Sequence, residues 1–383
     1  MRFASVCLVC IAAGQAGAQE PVSYDYAVET GWTSNATDSA AGGEDFYLRH
    51  DHRLEIAGGA GPLSLRGGLW LEQTRHARLV GEDDLEAGAG IEASLEPGEG
   101  VALRLGYAAT RSWIGEVIAG GGMVIELDSG LLEQEVLAEL VLLGDGRQLT
   151  LAVDRVSRQP GETVLVGLPL PPLRLDPAVE QVRVRLDAEL ALGPDLVALA
   201  RLHGFFTGVP PADQADHGRE PADAARLAGG LRWRGDAMLL EARGGVDLVW
   251  PENAPQLLQG LSYLDAMVEL AALEALTVSG RAMLGIELVE PVDGVAGRVA
   301  EAELGARLAL GERVALTGAL SLRGETGLFL PDLRETRRSA SAGVTVALAG
   351  DMSVGVLARA SRTEAPDTAY DTMSLALTFG GRL

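Results

Sequence analysis

The chain holds two cysteines, Cys7 and Cys10, both within its first eighteen residues. Past residue 18 there is none, which excludes a disulfide framework, a thiolate metal site and a cysteine nucleophile at once. Lysine is missing altogether, so the 31 basic residues counted as Lys and Arg are all arginine. Against them stand 54 acids, for a formal charge of -23, or about -24 without residues 1–18, which contain Arg2 and no acid. So acidic a chain is a poor partner for nucleic acid. Long apolar runs are missing too: hydrophobic residues make up 47%, yet no stretch past the N-terminus approaches the ~18 residues of a membrane-spanning helix. Aromatics are scarce, at 4%.

Residues 1–18 read as a secretory signal. Arg2 gives a positive start, residues 3–13 a short apolar stretch, and Ala16-Gly17-Ala18 a small-x-small cleavage site before Gln19-Glu20. The apolar stretch is too short to cross a bilayer. Val9 stands before Cys10 where a lipid-anchoring signal wants a small residue. The expected mature chain is residues 19–383.

What the mature chain does have is alternation. Val182, Val184, Leu186, Ala188, Leu190 and Leu192 interleave with Arg183, Arg185, Asp187, Glu189 and Ala191. Ala300, Ala302, Leu304, Ala306, Leu308 and Leu310 interleave with Glu301, Glu303, Gly305, Arg307 and Ala309. Val101, Leu103, Leu105 and Tyr107 do so with Ala102, Arg104, Gly106 and Ala108. Period two means strand, with one apolar and one polar face. The segments run to about ten residues, the length of a tilted bilayer-crossing strand and longer than most soluble ones.

The connections alternate in length. Short turns are expected at 58–62, 96–100, 144–147, 193–195, 235–236, 274–275, 311–313 and 349–351. Longer loops fall between them, at 35–45, 75–84, 113–131, 157–178, 205–225, 251–260, 289–297, 325–337 and 363–371. Short periplasmic turns with longer outer loops mark a transmembrane barrel. The fold class is therefore all-β: an antiparallel up-and-down transmembrane β-barrel of about 18 strands, with both chain ends on the periplasmic side. The strands are expected near 22–34, 46–57, 63–74, 85–95, 101–112, 132–143, 148–156, 179–192, 196–204, 226–234, 237–249, 261–273, 276–288, 298–310, 314–324, 338–348, 352–362 and 372–383. The hairpin at 196–204 and 226–234 has the weakest signal, and without it the count is 16.

Trp32, Trp113 and Trp250 fall at outer strand ends, and Tyr24, Tyr26 and Trp233 near inner ends, where interfacial aromatics belong. In the second strand His50 and His52 share a face with Phe46, Leu48, Leu54 and Ile56. Imidazoles facing lipid are costly, so a bulge or a shifted register is expected there.

Residues 28–49, VETGWTSNATDSAAGGEDFYLR, resemble the opening of the β-barrel porins known as beta-barrel porin 2. Those begin with a strand, an aromatic-to-Asn turn and an acidic-aromatic entry into the second strand. The matching residues are Trp32, Thr33, Ser34 and Asn35, then Asp45, Phe46 and Tyr47. The resemblance implies an outer-membrane barrel and names no substrate. The last strand also alternates, through Met373, Leu375, Leu377 and Phe379, as recognition by the barrel-assembly machinery requires. Gly381 and Leu383 depart from the terminal aromatic of that pattern.

The inward charges are the functional candidates: Arg104, Arg183, Arg185, Asp187, Glu189, Arg243, Asp247, Arg281, Glu301, Glu303 and Arg307. Two readings stand side by side. A polar interior suits a water-filled channel whose charges set ion selectivity; the same residues suit a network of Arg–carboxylate pairs bracing the wall. By resemblance to general porins, the third outer loop, 114–131 with Glu116, Glu126 and Asp128, is expected to fold into the lumen and narrow it, the alternative being an outside loop or an extra hairpin. The proline-stiffened loop 157–178 is the rival constriction.

His50, His52 and His76 lack the further ligands of a metal site. No G-x-S-x-G element or Ser–His–acid frame is present, and Gly120-Gly121-Gly122 has no strand-to-helix setting for phosphate. No enzyme activity, cofactor or metal is expected. The leading function is passive diffusion of small polar solutes or ions across the outer membrane of a Gram-negative bacterium, through a monomer or homotrimer. Its partners are outer-membrane lipid, the assembly machinery and the solutes, with no nucleic acid. The second reading is a closed structural barrel whose loops serve adhesion or assembly; a lipid-acting barrel enzyme is a distant third.

Overall fold

The alternating segments become strands. The computed structural model describes residues 22–37, 39, 42–120, 123–166, 170–366 and 368–383; the leader expected at 1–18 lies outside them. In chain order the strands are β1 (Val22–Thr33), β2 (Asp45–Ala60), β3 (Leu63–His76), β4 (Asp84–Gly98), β5 (Val101–Gly120), β6 (Met123–Gly144), β7 (Arg147–Pro160), β8 (Val164–Val166), β9 (Val179–Ala191) and β10 (Leu196–Gly208). They continue as β11 (Ala222–Arg234), β12 (Met238–Pro251), β13 (Gln259–Leu273), β14 (Leu276–Glu287), β15 (Gly297–Leu310), β16 (Val314–Gly327), β17 (Arg334–Ala347), β18 (Ser353–Ala365) and β19 (Thr368–Arg382). A helix of about two turns, α1 (Pro211–His217), interrupts the connection between β10 and β11.

Each wall strand pairs antiparallel with the next, and β19 returns to β1, Val28 opposite Phe379, which closes the sheet. The three-residue β8 stands outside the ring, on β6 at 126–128, and β7 pairs past it with β9. Eighteen strands make the wall. The hairpin with the weakest signal is real: β10 and β11 pair from Leu196–Trp233 to Phe205–Ala224.

Closure reverses the usual arrangement of a core. Residues opposite each other in an antiparallel pair share a face. The outer face carries large exposed apolar side chains such as Phe46, Leu69, Leu227 and Leu375, while fully buried side chains include the carboxylates Asp45, Asp213 and Asp247. That apolar band meets lipid, and the polar face turns inward.

The second strand corrects one expectation. β2 pairs with β1 and β3 without any register shift, so no bulge turns its histidines inward. His50 and His52 lie on the lipid face with Phe46, Leu48 and Ile56. Instead, local partners soften the cost. The Tyr24 hydroxyl and His52 Nδ1 share a hydrogen bond of 2.7 Å, and the two imidazoles stack at 6.0 Å.

Candidate functional site: the barrel mouth

The inner wall from β9 to β14 is a ladder of ion pairs. Arg201 lies between Asp187 and the Tyr263 hydroxyl, each 2.9 Å away. Arg226 grips Asp247 with two bonds, of 2.6 and 2.9 Å, and its guanidinium sits 3.9 Å over the Tyr263 ring. Arg232 on β11 reaches past β10 to take both oxygens of Glu189 on β9, at 2.8 and 2.9 Å. Arg243 joins Glu241, and Arg281 stands 3.7 Å from Asp265. Two-pronged arginine contacts of this kind fix geometry as well as charge.

Above this ladder the connection between β14 and β15 turns into the lumen. Its residues 288–296 read LVEPVDGVA, and their apolar members pack on the inner wall. Leu288 and Ala296 are buried against Ala222, Ala224 and Val249, with Phe205 and Phe329 alongside. Asp293 ties the turn, accepting from the backbone N–H of Val295, Ala296 and Phe329 at 2.8–2.9 Å. Gly294 takes the left-handed φ of +74° that this turn requires. Gly297 admits the Glu325 carboxylate so closely that a Cβ would meet its Oε1 at 2.5 Å; that carboxylate receives the N–H of Val292 at 2.9 Å.

Arg219, from the connection between β10 and β11, clamps this strap from behind. It donates to the carbonyls of Gly294 at 2.6 Å, Val295 at 3.2 Å and Val289 at 3.3 Å, and also to that of Leu288. Burial draws its guanidinium down to about 10, so it remains charged at neutral pH.

Only the tip of the strap crosses the opening. Glu290 forms an ion pair with Arg158 of β7, which also holds Glu133 of β6 at 2.5 Å. Between the two walls lies a chamber of about 410 Å³. Glu133, Glu135, Arg158 and Arg183 face it from one side; Glu287, Glu290, Arg323, Glu325, Glu335 and Arg337 face it from the other.

No known protein family matches the chain, and no curated protein matches it in sequence. Among solved structures it is similar to the FrpB iron transporter from Neisseria meningitidis, with 9% identity over 89% of this chain and 62% of that one and a TM-score of 0.53. It is similar to the siderophore receptor PirA from Acinetobacter baumannii, with 6% identity, 96% and 81% coverage and a TM-score of 0.53. With OccK2 (OpdF) from Pseudomonas aeruginosa it shares 10% identity over 94% of this chain and 98% of that one, at a TM-score of 0.50. Its fold is that of the outer-membrane β-barrels. At such identities the likeness shows fold alone, and the fold places this barrel in the Gram-negative outer membrane. The chain spans about three-fifths of the length of FrpB.

All eleven inward candidates of the barrel lie on the face opposite the apolar band. Nine are in ion pairs: Arg104 with Glu92 and Glu139, Arg183 and Arg185 with Asp154, Asp187 with Arg201, Glu189 with Arg232, Arg243 with Glu241, Asp247 with Arg226, Arg281 with Asp265, and Glu301 with Arg323. Glu303 and Arg307 make none among the described residues. Of the eleven, only Arg183 lines the chamber.

The expected constriction is corrected. Among the described residues, 114–120 and 123–131 form no loop into the lumen: β5 and β6 stay paired from Val101–Leu142 to Gly120–Met123 as one long hairpin that continues the wall. Val117, Ile118, Val124 and Ile125 favour strand, and folding inward would break that ladder. Within it Glu116 pairs opposite Leu127, while Glu126 and Asp128 point to the other face, so the three acids do not converge. Of the rival loop 157–178, residues 164–166 join the hairpin as β8 and Arg174 pairs with Asp213 of α1. The strap was missed because its signal is slight: Val289, Val292, Val295 and Ala296 are apolar in a loop that should face water.

Proposed function

We propose that this barrel is a passive channel for small hydrophilic solutes or ions, narrowed at its outer mouth by the strap and performing no bond chemistry. One observation carries this reading. The inner face of β16–β19 bears Ser321, Ser339, Ser341, Ser361 and Ser374 between Arg323, Arg337 and Arg359, and short side chains of this kind favour an open lumen beside the ladder. An eighteen-stranded wall encloses more width than such side chains fill. The resemblance of residues 28–49 to porins supports the same reading, and insertion by the assembly machinery and assembly as a monomer or homotrimer belong to it. The ladder on β9–β14 is what a closed, non-conducting barrel would also use. Purified barrel in a planar bilayer separates the two: stable ohmic steps are expected, and silence from a well-folded preparation would leave the closed structural reading.

A further inference from the structure

The lipid face changes character at the loop end of β15–β18. Arg298 and Arg334 lie in one row across the sheet with Thr326 between them, and Arg338 and Arg362 lie opposite each other two rows below. The row between holds Gly324, Thr336 and, at its β18 edge, Glu364. All four arginines are exposed on the outer surface. The apolar band begins level with the lower pair, at Leu322 beside Arg338, and continues below through Leu320 on β16 and Val344 on β17.

This placement is unusual on electrostatic grounds. Like charges directly opposite in a sheet repel. Arg362 is met by Glu364 at 2.7 Å and Asp371 at 3.6 Å. Arg298, Arg334 and Arg338 form no ion pair among the described residues. The patch therefore keeps a positive excess at lipid level in a chain of charge -23. Its floor is shallow: a Cβ on Gly324 would meet nothing closer than the Thr336 hydroxyl at 4.0 Å. The result is an open patch with two threonine hydroxyls at its base and guanidinium groups at its corners, where four arginines outnumber the single carboxylate, Glu364, that stands among them and the Asp371 beside Arg362. Neighbouring strands are ~4.8 Å apart, so the arginines span roughly 10 Å, a distance that suits a phosphate-bearing headgroup.

We propose that Arg298, Arg334, Arg338 and Arg362 form a binding site for a phosphate group carried by a lipid of the outer leaflet. Guanidinium groups take phosphate oxygens two at a time, and the acyl chains of the same molecule would lie down the apolar band below. The site depends on the membrane placement of the barrel and not on whether its lumen conducts.

The test is the melting temperature of the detergent-solubilised barrel titrated with diphosphoryl lipid A in mixed micelles, or with inorganic phosphate at equal phosphate concentration. A rise of several degrees is expected with the lipid and none with inorganic phosphate. Arg338→Gln/Arg362→Gln should lose the rise. Gly324→Leu, which keeps every charge but fills the floor, should reduce it. Equal rises in wild type and both variants, or a rise reproduced by inorganic phosphate alone, would overturn the assignment.

Discussion

Arg158 on β7 and Glu290 on the strap form an ion pair through the lumen. Round the wall their strands are six steps apart, so no path along the sheet brings them together. The pair joins a strap anchored on the β10–β13 side to the opposite wall, and it divides the mouth of the barrel.

Neutralising the tip, as in E290Q, is therefore expected to enlarge single-channel conductance. Stability should change little, because a half-exposed ion pair contributes about 1 kcal/mol or less. Conductance steps equal to wild type in the same salt would show that the tip does not obstruct the path.

The clamp behind the strap should matter more to order. Arg219→Met strips the donors from the carbonyls of Leu288, Val289, Gly294 and Val295, and each buried group left unpaired costs about 1–3 kcal/mol. Released from its seat, the strap is expected to flicker, giving noisy open-channel current and faster proteolysis near residue 290. A quiet, protease-resistant variant would refute the clamp.

Asp247 is a test of bracing without gating. It is fully buried, lies outside the chamber, and neutralises Arg226. Asp247→Ala should leave a buried cation uncompensated and lower the unfolding free energy by about 3–5 kcal/mol, with conductance of the folded fraction unchanged. Denaturant unfolding in detergent reads the first quantity and bilayer recording the second.

Six carboxylates and four guanidinium groups line the chamber. Reversal potentials under a salt gradient are expected to show cation preference, reduced by Glu135→Gln and Glu335→Gln together. Anion preference in the wild type would place the selective region elsewhere.

On the outer face, His50→Leu and His52→Leu should both stabilise the barrel in lipid. The gain at His52 should be smaller, since that substitution also removes the hydrogen bond from Tyr24, worth about 1 kcal/mol. Greater stabilisation at His52 would contradict the placement of these rings.

The wall was legible because its two solvents impose period two on residues such as Val182–Leu192 and Ala300–Leu310, and each of the eighteen expected strands has its counterpart. Loops answer to no such periodicity. Residues 114–131 read as a glycine-rich loop although Val117 and Ile125 were already strand-like. The strap's position depends on Arg219, about seventy residues away, a contact that no local pattern announces. The inward charges were found by face, but what each one pairs with follows from register: Arg232 finds Glu189 by reaching over an intervening strand.

The hairpin of β5 and β6 stands above the barrel, where its backbone would offer free hydrogen-bonding groups to any passing chain. On one flank β8 takes up Glu126–Asp128, and on the other Glu82 accepts the N–H of Val117 at 2.6 Å. With partners on both flanks, the longest hairpin of the wall gives foreign strands little to add themselves to, so crowded copies can share a membrane without stitching together at their tips.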